Sequence, residues 1–159
     1  MTHQTFNQSP VLPSVLRLPL SLTPVALHNR IFVTAINRMF RQALKDDELE
    51  FLQGRVVAIN ITDADLHLRF TLKDQQIKSC HAKVAADLSI SGNVYDFLLL
   101  ASRREDPDTL FFNRRLKLSG DTELGLYVKN FLDAMDLTDQ WAYICKISDR
   151  ASRIAERMS

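Results

Sequence analysis

Neither sign of charge dominates this 159-residue chain. It carries 20 Lys and Arg against 19 Asp and Glu, a formal net charge of +1. The summed field is too weak to draw in a polyanion, which argues against nucleic acid as a partner and leaves only a local basic face open. Cysteine is scarce: Cys80 and Cys145 stand 65 residues apart, with no Cys-x-x-Cys and no histidine at ligand spacing. This excludes a zinc or disulfide framework and fits reduced thiols in a cytosolic protein. Long apolar runs are missing too. The stretch from Val11 to Leu27 is interrupted by Pro13, Pro19 and Pro24 and contains Arg17, so it cannot form the unbroken helix of about 20 residues that a bilayer span requires. Met1 to Ser9 is polar, unlike an export signal. The expectation is a cytoplasmic protein, attached at most to the inner face of the membrane. The sequence also has no Gly-x-Ser-x-Gly, His-Glu-x-x-His, Gly-x-Gly-x-x-Gly or phosphate-loop motif, so neither a catalytic residue nor a metal is expected.

What is present has the profile of one ordinary domain, 46% hydrophobic and 25% charged. At this length about 68–70% of the unfolded chain's surface can be buried. The organisation is an apolar, proline-rich arm over residues 1–22 and a single domain over 23–159 that includes a C-terminal amphipathic helix. Four of the five prolines precede residue 25, which favours an extended arm. Its leucines and valines would each gain roughly 1.5–3 kcal/mol from full burial. The arm therefore either packs on its own domain or inserts into lipid or a partner.

Thr23 before Pro24 predicts a helix start, with the hydroxyl capping free N–H groups and proline at the first helical position. One long helix is expected to follow, with Phe32, Ile36, Met39 and Ala43 on one side and Arg30, Arg38, Arg41 and Lys45 on the others. Asp46 and Asp47 are read as caps of a short turn over 48–53, closed by Gly54. From Arg55 the period changes to two. Val57, Ile59 and Ile61, then Leu66, Leu68, Phe70 and Leu72, mark two half-buried strands. With a third strand near 75–80 and short links between, they form an antiparallel meander. A fourth strand at 87–91, a helix at 94–103 and a fifth strand at 115–119 follow. Asp121 caps a helix carrying Leu124, Tyr127, Val128, Phe131 and Met135. A last helix is expected from Thr138, with Ile144, Ile147, Ala151, Ile154 and Met158 in one stripe and Lys146, Arg150, Arg153 and Arg157 in another. The basic stripe is either a solvated side or a contact for anionic lipid or an acidic partner. The fold class is α+β: a mainly antiparallel five-stranded sheet with helices on one face, and room between the layers for an apolar cavity.

Titratable groups give little chemistry. His67 alternates onto the polar side of its strand, His28 and His81 have no readable partner, and His3 lies in the arm. Asp63, Asp65 and Asp74 lack the spacing of a calcium loop and are read as turn residues. Arg103, Arg104, Arg114, Arg115 and Lys117 flank an acidic stretch ending in Leu110-Phe111-Phe112, an apolar triple that suits a core or a lipid cavity better than a base-stacking platform.

Two parts of the chain carry a resemblance. The run from Asp106 to Leu137, centred on Asn113-Arg114-Arg115-Leu116-Lys117-Leu118-Ser119-Gly120-Asp121, resembles bacterial accessory factors of ubiquinone biosynthesis. Phe40-Arg41-Gln42-Ala43-Leu44, Glu48-Leu49-Glu50-Phe51-Leu52 and Gly54-Arg55 are similar to them too, so the likeness spans most of the chain from about Leu22 to Leu137. The wider family is the sterol carrier protein type 2 lipid-binding domain, whose strand-Gly-Asp-helix element corresponds to Leu116 through Asp121. The resemblance implies a sheet and helices that enclose an apolar lipid tunnel. It implies a non-enzymatic role in ubiquinone synthesis without oxygen, alongside the hydroxylation proteins UbiU and UbiV. It implies no cofactor, only a bound ubiquinone, isoprenoid intermediate or phospholipid.

The candidate lining residues are Ile36, Met39, Phe40, Leu68, Phe70, Phe111, Phe112, Leu124, Tyr127, Phe131 and Met135, with plain core packing as the alternative for each. Each buried CH₂ is worth about 0.8 kcal/mol, so tail burial would dominate affinity. A domain of this length has a radius of gyration of about 15 Å, so a long polyprenyl chain must bend, protrude or share a second subunit, as in a homodimer. Loading from a bilayer would use the arm or the basic stripe of the last helix. A scaffold of the quinone machinery and a general phospholipid carrier remain the alternatives, and an enzyme acting on the quinone ring would need a titrating His67 or His81.

Overall fold

The computed structural model describes residues 24–135. In chain order the elements are α1 (Val25–Met39), α2 (Arg41–Lys45), a 3₁₀ turn (Glu50–Leu52), β1 (Val56–Ile61), β2 (Leu66–Lys73), β3 (Gln76–Ser79), β4 (Leu88–Gly92), α3 (Val94–Ala101), α4 (Pro107–Phe112), β5 (Lys117–Gly120) and α5 (Thr122–Ala134). The five strands form one sheet in the order β3-β2-β1-β4-β5. β1 runs parallel to β4 and every other neighbouring pair is antiparallel. The fold is α+β with a mainly antiparallel sheet, as the alternation predicts.

Alternation sets the two faces. The register aligns Leu68, Ile59, Ile90 and Leu118 across four strands, and Phe70, Val57 and Leu88 across three. Side chains two apart on a strand share a face, so these rows make one apolar surface. The intervening positions place Asn60, His67, Arg69, Ser89, Ser91 and Lys117 on the opposite surface. β2 and β3 are joined by Asp74 and Gln75, both at positive φ (52° and 55°), the backbone pair that matches strand twist in a two-residue hairpin.

The strand-Gly-Asp-helix element has a steric cause. Gly120 sits at φ +108°, and a Cβ there would lie 2.3 Å from the Asp87 carbonyl oxygen, so only glycine lets β5 press this closely on the start of β4. Asp121 then accepts from the Glu123 and Leu124 N–H groups, both at 3.0 Å, and starts α5.

Three expectations are corrected. The single long helix bends at Phe40 (φ −100°, ψ 17°), although the Phe40 N–H still bonds the Ile36 carbonyl at 2.8 Å. The bend turns α2 so that Ala43 and Leu44 are buried. Pro24 occupies the cap position ahead of α1 rather than its first turn, and makes no side-chain cap; Thr23 lies outside the described residues. Asp46 and Asp47 cap nothing with their side chains. Asp46 ends α2, Asp47 takes a left-handed φ of 56°, and the 3₁₀ turn begins after Leu49. Residues 107–112, to which the sequence pattern assigns no element, form a helix, α4, capped by the Asp106 carboxylate on the Thr109 N–H, with Pro107 in its first turn. The predicted arm and the last helix from Thr138, with its stripes Ile144 to Met158 and Lys146, Arg150, Arg153 and Arg157, lie outside the described residues.

Candidate functional site

The apolar sheet face is covered by α1, α2, the 3₁₀ turn and α5, and the layer between them is rich in phenylalanine. Buried Val57, Phe70, Leu72, Ile77, Leu88, Ile90, Leu124 and Val128 form its floor and inner wall, together with Ala43, Leu44, Leu49 and Leu52. Half-buried Phe32, Ile36, Phe40, Phe51, Phe111 and Phe131 pack against them. The rings touch in two groups. Phe32 lies 6.0 Å from Phe70, Phe40 meets Phe131 edge-on at 5.3 Å, and Phe51 sits 6.1 Å from Phe131 and stacks on Tyr127 at 5.8 Å. Ring contacts of this kind join α1 to α5 across the sheet.

Six of the eleven sequence-predicted lining residues come together in this layer: Ile36, Phe40, Phe70, Phe111, Leu124 and Phe131. Leu68 is buried on the same sheet face, one row along, and Met39 and Met135 are half-buried at the ends of α1 and α5. Tyr127 is 49% exposed on the outer flank of the Phe51 stack. Phe112 stands apart. At 89% exposure it stands outside the layer, because one helical step of about 100° separates it from Phe111 on α4. With Phe111, Asp108, Thr109 and Lys129 it walls an open groove of about 600 Å³ between α4 and α5, bridged by a Lys129–Asp108 ion pair at 2.5 Å. Sequence reasoning missed Phe51. It sits in a short turn with no periodicity to reveal its face.

Polar groups hold the frame around this layer. Arg55 pairs with Asp121 and lies 3.7 Å from Asp87, tying β1 to the start of α5. The Leu124 N–H, and then the Arg55 guanidinium, hold the Asp121 carboxyl below its ordinary value. Asp63 is more than a turn residue: it is buried and accepts from the Val94 N–H at the head of α3. Asp96 is buried and bound by Arg115 at 2.6 and 2.8 Å, and that guanidinium also lies over the Tyr95 ring. On the outer sheet face His67 bridges Asn60 (2.9 Å) and Asp65 (3.3 Å) in the open. Burial pushes the Cys80 thiol up, opposed in part by Arg69. Among the described residues no group of three or more His, Cys, Asp or Glu could hold a metal, and no helix is long and apolar enough to cross a membrane.

A five-stranded sheet of this order, covered on one face by helices over an apolar layer, is the fold of the sterol carrier protein domains. A profile of the SCP-2 sterol transfer family matches residues 36–133, and the chain belongs to that family. Within it, the chain is a homologue of the ubiquinone biosynthesis accessory factor UbiT. It is 48% identical over 126 residues to UbiT of Escherichia coli (strain K12), covering 79% of this chain and 71% of the relative, and the same figures hold for UbiT of Escherichia coli O157:H7. Among solved structures, a ubiquinone synthesis protein described as UbiJ-SCP2 superposes with a TM-score of 0.52 at 16% identity, over 73% of this chain and 96% of that one. At that identity the likeness bears on fold alone.

Proposed function

We propose that the chain is a non-catalytic lipid-binding accessory factor for ubiquinone biosynthesis without oxygen. It holds the polyprenyl tail of quinone intermediates in the ring-lined layer and presents the ring to UbiU and UbiV, which carry the hydroxylation. The observation that carries this reading is the string of half-buried Phe32, Phe40, Phe51, Phe111 and Phe131 between α1, α5 and the sheet, in a chain 48% identical to UbiT. Here ring contacts join the helices that cover the sheet, and parting those contacts would open an apolar space between the layers. The bound quinone, intermediate or phospholipid is cargo, and no other cofactor is needed. Contact with the inner membrane surface supplies the lipid.

The test is organic extraction and native mass spectrometry of the full chain purified from cells that make ubiquinone. An isoprenoid quinone, an intermediate or a phospholipid bound at near one equivalent is expected. A lipid-free protein that also takes up no added short-chain quinone would overturn the reading. Capture of UbiU and UbiV by the tagged chain, lost when the space between the layers is filled, is the expected partner result.

A further inference from the structure

The groove between α4 and α5 lies outside the ring-lined layer. Phe111 and Phe112 form its apolar wall, and Asp108, Thr109 and Lys129 complete it. Phe111 packs against the core, so Phe112 is the ring left facing out. On α5 the exposed Leu126 stands three residues before Lys129 and seven before Asp133, a spacing that puts all three on one side of the helix, along the groove. The rim is acidic. Asp106, Asp108 and Asp133 are all exposed. The Asp108 hydrogen bond, and behind it the charges of Asp133 and Asp106, hold the Lys129 ammonium above its ordinary value, opposed in part by burial. Arg103 donates to the Asp133 carbonyl at 2.9 Å.

The chain carries a segment that matches this surface. Residues 136–159, outside the described residues, follow directly on α5, one wall of the groove. Trp141, Ile144, Ile147, Ala151, Ile154 and Met158 recur at steps of three and four, the spacing of one helical side, with Lys146, Arg150, Arg153 and Arg157 on its flank. At about 100° per residue Asp149 and Glu156 fall on the far side, and Asp139 opens the stretch, where a helix favours an acid. The link over 135–137 has a length that joins antiparallel helices. A helix from Thr138 therefore folds back along α5 and brings Ile144 and Ile147 level with Lys129 and Leu126. The N-terminal arm fits less well: it precedes α1, which is tied to β3 at the opposite edge of the sheet from β5, and it brings only Arg17 to an acidic rim.

We propose that residues 138–158 dock as a helix in the α4–α5 groove of their own chain, with Ile144 and Ile147 against Phe112 and Leu126 and the basic flank toward Asp106 and Asp108. The apolar stripe then covers the outer side of α4 and is withheld from lipid.

Trp141 is the chain's one tryptophan and reports on this contact. Fluorescence and amide exchange of the full chain are compared for wild type, Phe112→Asp, Leu126→Asp and the control Ile31→Asp, at an exposed site on α1. In wild type and the control, acrylamide is expected to quench Trp141 about threefold less than in the urea-unfolded chain, with amides over 144–158 protected. Phe112→Asp and Leu126→Asp each raise quenching toward the unfolded value and deprotect 144–158, while exchange on β1 and β2 stays as in wild type. Phe112→Ser moves Trp141 in the same direction without adding charge. The docking is overturned if wild-type Trp141 quenches as in the unfolded chain, or if the groove variants leave it as in wild type. Protection that rises with protein concentration would assign the groove to a second copy, and protection seen only with phosphatidylglycerol vesicles would assign the stripe to lipid; either result overturns it too.

Discussion

Asn37 acts as an extra strand partner for Ile77. Its side-chain N–H donates to the Ile77 carbonyl at 2.8 Å, and its carbonyl oxygen accepts from the Ile77 N–H at 2.8 Å, so one amide on α1 satisfies both backbone groups of a residue 40 positions away. Ile77 lies on β3, the edge of the sheet, where unpaired backbone is a template for unwanted pairing. A second bond from Asn37 to the Val33 carbonyl, at 3.0 Å, fixes the rotamer.

Replacing Asn37 by Ala or Leu strands two backbone groups of a residue that is 1% exposed. The expected loss is about 1–3 kcal/mol in urea denaturation. Amide exchange at Ile77 accelerates with it, more than exchange on central β1. A variant as stable as wild type with Ile77 still protected would show that water replaces the amide.

The Asp96–Arg115 pair is the second frame element. Its side chains are 3% and 17% exposed, and removing one member leaves the other charged and enclosed. Asp96→Ala is expected to lose about 3–5 kcal/mol. Replacing both members by apolar residues of similar volume recovers part of that loss, and a double-mutant cycle in guanidinium measures the difference.

Asp121 makes the stability of α5 depend on pH. Its folded carboxyl titrates below the ordinary value of 3.8, held there first by the Leu124 N–H and then by Arg55. A depressed carboxylate stabilises the fold fully above its unfolded pKa, and the contribution is lost as pH falls through the folded one. Asp121→Asn keeps a cap but not the charge. Thermal scans should show a constant offset between wild type and variant at neutral pH that closes as pH drops below about 4. An offset that persists at pH 2 would place the effect in packing instead.

Period-two alternation between Val57 and Leu72 made the central hairpin legible, because only a sheet that buries one face tolerates it. Gly120-Asp121 marked the last junction for a steric reason and a capping reason that residue types alone express. Other features were hidden for equally physical causes. Asp106 before Pro107 is a cap followed by a first-turn proline, yet the acids and arginines around it masked the helix, and without a helix Phe111 and Phe112 could not be told apart. The Asn37–Ile77 contact joins residues 40 apart, and no local pattern encodes it. Phe51 reaches the layer from a turn. The bend at Phe40 depends on Ala43 and Leu44 finding the core, which tertiary packing decides.

Phe131 discriminates between a packed core and a lipid seam. It contacts Phe40 edge-on at 5.3 Å and Phe51 at 6.1 Å, and only part of it is buried. Phe131→Leu keeps most of the apolar volume and gives up the ring pairing, a loss of roughly 1 kcal/mol. Phe131→Asp places a carboxylate where a lipid chain would lie, and desolvating it opposes occupancy. In a lipid seam, Phe131→Asp lowers lipid recovered per mole of soluble protein at least severalfold, while Phe131→Leu lowers it little. Phe112→Asp, at a position 89% exposed, leaves both yield and lipid content unchanged and controls for added charge. If Phe131→Asp lowers soluble yield in the same proportion as lipid, the ring serves packing alone.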